Sequence, residues 1–146
     1  MVLIMKKLLA IIVLGLMLSG NAYADENYNF ICRMENEYGK LENEKYLFEL
    51  SQKEIIIDGE KYKLSSKPEI TNSLIFFKIN YKMRLQKKML STNATEKEKK
   101  DNFFYTMIDE TYKINRSTGQ MVEKSAYINW KNEDRLTLYY YKCEIF

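Results

Sequence analysis

Six apolar residues at alternate positions, Ile75, Phe77, Ile79, Tyr81, Met83 and Leu85, interleave with Phe76, Lys78, Asn80, Lys82, Arg84 and Gln86. A period of two sustained over that length does not fit a helix, whose faces repeat every 3.6 residues, and it predicts one long strand of about 12 residues. A strand well above the usual five or six residues is easiest to house in a sheet that curls. The rest of the chain must therefore supply strand partners.

It has the composition to do so. Pro68 is the one proline, there are 5 glycines, and 12 Tyr with 7 Phe favour the half-buried pleated surface of a sheet. Tyr28 to Met34 alternates as well, with Tyr28, Phe30, Cys32 and Met34 on one face. Asp58-Gly59 is the preferred pair for a type I′ hairpin, because both central residues need positive φ. Folding there sets Ile55 against Tyr62 and Ile57 against Glu60 on one face, and Glu54 against Lys63 and Ile56 against Lys61 on the other.

A second hairpin is expected at Arg116-Ser117-Thr118-Gly119-Gln120, read as a type I turn closed by a bulge at Gly119 with Arg116 paired to Gln120. On that register Ile114 faces Val122, Tyr112 faces Lys124, Glu110 faces Ala126, Ile108 faces Ile128 and Thr106 faces Trp130. One face is then core and the other is mostly polar. Lys87 to Asn102 reads as a polar loop, in which Thr95-Glu96-Lys97-Glu98 has the form of a capping box for one short helix. For the last strand, Leu136 to Ile145, a four-residue turn at Asn132 to Arg135 turns Tyr139, Tyr141, Cys143 and Ile145 inward, whereas a three-residue turn brings in Leu138 and Tyr140. Cys32 is on an apolar face and a disulfide needs both Cβ atoms to point the same way, which selects the four-residue turn.

Lys6-Lys7, the apolar run Leu8 to Leu18 and Ala22-Tyr23-Ala24 are the three parts of a secretory signal peptide cleaved after Ala24. The run is shorter than the roughly 17 residues needed to span a bilayer, so no stable membrane span is expected after cleavage. Removing residues 1–24 takes two lysines and no acid, so the formal charge of +3 becomes +1 over the remaining 122 residues. A near-neutral exported domain has no electrostatic footprint for nucleic acid. In an oxidising compartment the 2 cysteines, Cys32 and Cys143, are expected to form one disulfide. It would close a loop of about 112 residues, with a chain-entropy contribution of roughly 4 to 5 kcal/mol at most. The expected fold is a single all-β domain over residues 25–146: an antiparallel meander of about seven or eight strands forming a small barrel, with a β-sandwich as the alternative, its termini joined by the disulfide.

Chemistry is sparse. With His 0, the chain has no Ser-His or Cys-His nucleophile pair and no histidine-ligated metal. Asp109 and Glu110 point to opposite faces of one strand, and neither Asn132-Glu133-Asp134 nor Asp58-Gly59-Glu60 has the ligand count of a calcium site. No catalytic residue, metal or cofactor is expected. The candidate ligand-binding residues are Glu110, Tyr112, Lys124 and Trp130, in a cavity lined by Ile108, Glu110, Tyr112, Lys124 and Ile128. Glu110 and Lys124 otherwise serve as a structural ion pair, and Trp130 as core. The outward members of Tyr139, Tyr140 and Tyr141, with Phe76 and Leu74, are expected to form an exposed apolar patch.

The signal peptide, the early Cys, the Asn-Arg-Ser-Thr-Gly turn between two strands and the Cys close to the end together resemble the layout of small exported two-Cys β proteins of marine bacteria. The resemblance covers the whole chain and implies no activity. In size and plan the chain is also similar to two-Cys β-barrel lysozyme inhibitors of the periplasm, although none of its loops matches their inhibitory loop. The expected function is that of a non-enzymatic periplasmic or secreted barrel binding a small ligand. The alternative is a protein-partner module, lysozyme-inhibitor-like or acting in envelope assembly.

Overall fold

Alternation becomes strands wherever it was strong. In the computed structural model, which describes residues 27–146, the elements are β1 (Tyr28–Glu35), β2 (Tyr46–Leu50), β3 (Glu54–Ile57), β4 (Glu60–Lys63), β5 (Glu69–Ile70), β6 (Leu74–Gln86), α1 (Glu96–Asp101), β7 (Phe103–Asn115), β8 (Gln120–Ile128) and β9 (Asp134–Ile145). The signal peptide expected over residues 1–24 lies outside the described residues. All nine strands form one antiparallel sheet in the order β4-β3-β2-β1-β9-β8-β7-β6-β5. The sheet curls into a half-barrel, and beyond its ladders Leu64 bridges Ile79, with Ser65 N donating to Lys78 O at 2.9 Å. No helix among the described residues is long and apolar enough to cross a membrane.

The first hairpin has the predicted register. Asp58 and Gly59 take φ of 49° and 85°, and β3 pairs β4 with Ile55 opposite Tyr62 and Glu54 opposite Lys63. Asp58 also ties the turn to β2, accepting from Leu47 N at 2.7 Å through its side chain. The short helix is capped as expected: Thr95 Oγ1 accepts from Glu98 N at 3.2 Å and Glu98 Oε2 accepts from Thr95 N at 2.7 Å. It buries none of its own residues, so its position depends on Asn102, whose Nδ2 donates to Lys88 O at 2.7 Å.

The second hairpin departs from expectation by one residue. The turn holds Arg116 to Gly119, and Ile114 faces Met121, Tyr112 faces Glu123 and Glu110 faces Ser125. Asn115 sets this length. Its Oδ1 accepts from both Ser117 N (2.9 Å) and Thr118 N (3.1 Å), and Gly119 N donates back to Asn115 O at 2.8 Å. An Asx turn thus holds four residues where three were expected. Because side chains alternate, the slip turns every β8 residue over, so Lys124 and Ile128 face outward and Met121 and Glu123 face inward. The turn into β9, Asn129 to Glu133, also differs from the expected Asn132 to Arg135. Its odd length still turns Tyr141 and Cys143 inward, and Cys143 stands directly opposite Cys32 across β1 and β9, where the two form the disulfide.

The concave face holds the core. Phe30 stacks on Phe48 with centroids 5.1 Å apart, Phe77 stacks on Tyr112 at 4.7 Å, and the two stacks touch where Phe48 meets Tyr112 edge-on at 6.0 Å. Strands β1 and β2 are thereby packed across the concavity against β6 and β7. Leu50, Ile55, Ile75, Ile79, Ile114 and Met121 fill in around them, essentially all out of water. Each such side chain contributes about 1.5 to 3 kcal/mol on burial.

Candidate functional site

Beyond the aromatic stack the concave face becomes polar. Glu110 on β7 and Glu123 on β8 both project inward, and Tyr81, Tyr112 and Tyr141 surround them. Tyr81 Oη donates to Glu110 Oε1 and Tyr112 Oη to Glu110 Oε2, each at 2.6 Å. Tyr141 Oη donates to Glu123 Oε2, also at 2.6 Å. Such short O–H···O⁻ distances are those of charge-assisted bonds. The rings extend the cluster to the edge of the half-barrel, with Tyr62 of β4 packed at 5.3 Å from Tyr81 and Tyr46 of β2 edge-on to Tyr141 at 6.0 Å.

The electrostatics follow from burial and from two like charges. Glu123 is only 8% exposed, and burial is the main cause that raises its carboxyl to about 7; the Tyr141 hydroxyl opposes the rise and the negative charge of Glu110 adds to it. Tyr112, Tyr141 and Tyr81 are all held well above the ordinary phenol range, first by burial and then by the carboxylates they face. Tyr62 is pushed up to about 12, chiefly by its hydrogen bond to Glu60. Every phenol of the cluster is therefore a neutral donor at physiological pH. The ion pairs among the described residues, Lys61–Glu54, Lys99–Glu96 and Arg135–Glu133, all lie elsewhere. Among the described residues no group of three or more carboxylates and cysteines gathers to hold a metal.

Of the residues predicted from sequence, Glu110 and Tyr112 lie where expected, inward and hydrogen-bonded to each other. Lys124 does not join them. It stands on the outer surface opposite Thr111 and Leu138, so the expected Glu110–Lys124 pair does not form. Ile108 is inward but Ile128 is outward, and the expected lining is not assembled as drawn. Trp130 is not core: it is 48% exposed in the turn after β8, where its Nε1 donates to Lys87 O at 3.1 Å. Tyr140 faces outward, while Leu74 and Phe76 are half-buried on β6 with β7 and β8 between, so the expected common patch is not formed.

Sequence reasoning missed Glu123, Tyr81 and Tyr62 as members of the site. The signal that identifies Glu123 is Asn115, whose side chain favours the four-residue turn; Tyr81 and Tyr62 were on the correct faces, but alternation within a strand does not give the register of β6 against β7 or the approach of β4 to β6 that brings them to Glu110. Comparison of the chain with protein-family models, with curated proteins and with solved structures finds no match in any of the three.

Proposed function

We propose that this is a non-enzymatic exported binding domain, periplasmic or secreted after cleavage at Ala24, whose half-barrel takes a small ligand at the Glu110–Glu123 cluster. The observation that carries the reading is a pair of inward carboxylates partnered by phenols and by no cation among the described residues. Such a lining suits a ligand that brings N–H donors or a positive charge, with the tyrosine rings as its walls. The disulfide supports an oxidising compartment. The absence of histidine and the neutral phenols argue for binding rather than catalysis.

Native mass spectrometry of the protein purified from its own cell envelope tests this. The expected result is a retained adduct of a few hundred daltons or less that Glu110→Gln loses while its melting temperature is kept. Absence of any adduct, together with no thermal shift across a panel of polyamines, amino acids and quaternary amines, overturns the reading. The alternative of a protein-partner module is favoured by one observation, the exposed row Leu136, Leu138 and Tyr140 on the outer face of β9. A specific partner lost on Leu138→Glu would support it.

A further inference from the structure

The charge of the molecule is unevenly placed. Residues 82–105 hold seven basic and three acidic side chains, a net +4, whereas residues 27–146 as a whole hold 21 basic and 18 acidic, a net +3. The positive excess thus lies in the β6–β7 connection and the strand ends that flank it. The turn between β8 and β9 is fastened to the same end by the Trp130 to Lys87 hydrogen bond.

At this end the cations are presented with aromatic rings. Arg84 lies 3.8 Å from the centroid of the Phe103 ring, Lys82 5.0 Å from that of Tyr105, and Lys131 and Lys87 lie 5.3 and 6.0 Å from that of Trp130. Between them the chain exposes apolar groups: Met89 is 94% exposed at the tip, and Tyr105 and Met107 are exposed on the outer face of β7. The tip is not a loose loop. Lys87 N donates to Asn102 O at 2.7 Å, Lys88 N to Asn102 Oδ1 at 3.2 Å, and Asn102 itself is 4% exposed. A cleft of about 520 Å³ beside it is lined by Lys87, Lys88, Lys97 and Trp130 together with the carboxylates Glu98 and Asp101, so the lysines outnumber the acids there by three to two.

We infer that this end docks on an anionic phospholipid surface, with Lys88 and Lys97 meeting the headgroup phosphates and Met89, Tyr105 and Trp130 entering the interface. Charge complementarity selects an anionic partner. The apolar tip distinguishes a bilayer, which accepts both charge and apolar groups at its interface, from a soluble polyanion, which gains nothing from an exposed methionine. The contact is peripheral, and it leaves the concave face free.

Trp130 is the one tryptophan in the chain, so its fluorescence reports on this end alone. The test uses residues 25–146, which hold the whole described sheet, with vesicles of phosphatidylcholine and phosphatidylglycerol at 3:1 and vesicles of phosphatidylcholine alone. The expected result is a blue shift of Trp130 emission and its quenching by bromolipids on the anionic vesicles only, weakened as NaCl is raised. Met89→Asp and the pair Lys88→Glu/Lys97→Glu should each lower the partition coefficient at least tenfold with the melting temperature unchanged. No emission change on the anionic vesicles overturns the inference. Equal binding by Met89→Asp also overturns it, since that marks a site for soluble polyanions.

Discussion

Among the described carboxylates, Glu123 is the one that burial raises far above its ordinary range. Its carboxyl rises from 4.5 to about 7 on folding, so between those values the native state holds a proton that the unfolded chain has lost. The stability contributed by that proton is complete below pH 4.5 and is lost as pH rises through about 7, a difference on the order of 3 kcal/mol. Glu123→Gln keeps an acceptor for Tyr141 and removes the titration. Urea unfolding at pH 5 and pH 8 should therefore show the variant equal to the parent at the lower pH and more stable at the higher one; parallel pH profiles would mean that the carboxyl is solvated. Little of this was legible in the sequence, because a glutamate among polar neighbours looks like a solvated one until its register is known. Trp130 was misread for the same reason, its place on the core face having been inherited from the assumed register of β8.

At the scale of elements, period-two patterns revealed which residues share a face, and turn chemistry decided which faces meet. The Asp58-Gly59 hairpin was readable because two residues at positive φ admit one common turn type. Asn-Arg-Ser-Thr-Gly admits loops of three or four residues, and reading Gly119 as the bulge that closes the shorter one put Val122, Ala126 and Ile128 inward. Those residues instead form an outer apolar face, which the alternation of β8 alone does not distinguish from a core face. Gly119 is the residue that makes the four-residue loop possible. It has φ of 71°, its carbonyl accepts from Cys143 N at 2.7 Å, and an added Cβ would run into the Cys143 carbonyl oxygen. Gly39 has the same φ of 71° with open space around it. Gly119→Ala should thus cost roughly 2 to 4 kcal/mol and Gly39→Ala about 1, as read by urea denaturation. Equal costs would show that the left-handed backbone alone matters and that the contact with β9 relaxes.

For the whole molecule, the pairing of β1 with β9 gave the sequence its clearest long-range statement, since the two cysteines of the chain have one intramolecular partner each. The half-barrel that results is held by this bond across 111 positions of sequence. Cys32→Ala/Cys143→Ala should lose about 4 to 5 kcal/mol by the chain-entropy account, measured as the drop in unfolding free energy against the oxidised parent. A loss under about 1 kcal/mol would mean that the unfolded chain already keeps the two segments together. The strand order adds a consequence for folding speed. The contact most distant in sequence lies at the centre of the sheet, so β1 to β4 and β5 to β9 can each zip up locally but must wait for each other, as in chains of high contact order. Phe146 N donates to Asn29 O at 2.9 Å, so a few residues would join Phe146 to Asn27, and a cut between β4 and β5 would reopen the chain. The circular permutant would run β5-β6-β7-β8-β9-β1-β2-β3-β4, every strand beside its neighbour in sequence. The same sulfur–sulfur bond would then close only a short loop and contribute little, which locates its stabilising effect in the order of the chain rather than in the bond itself.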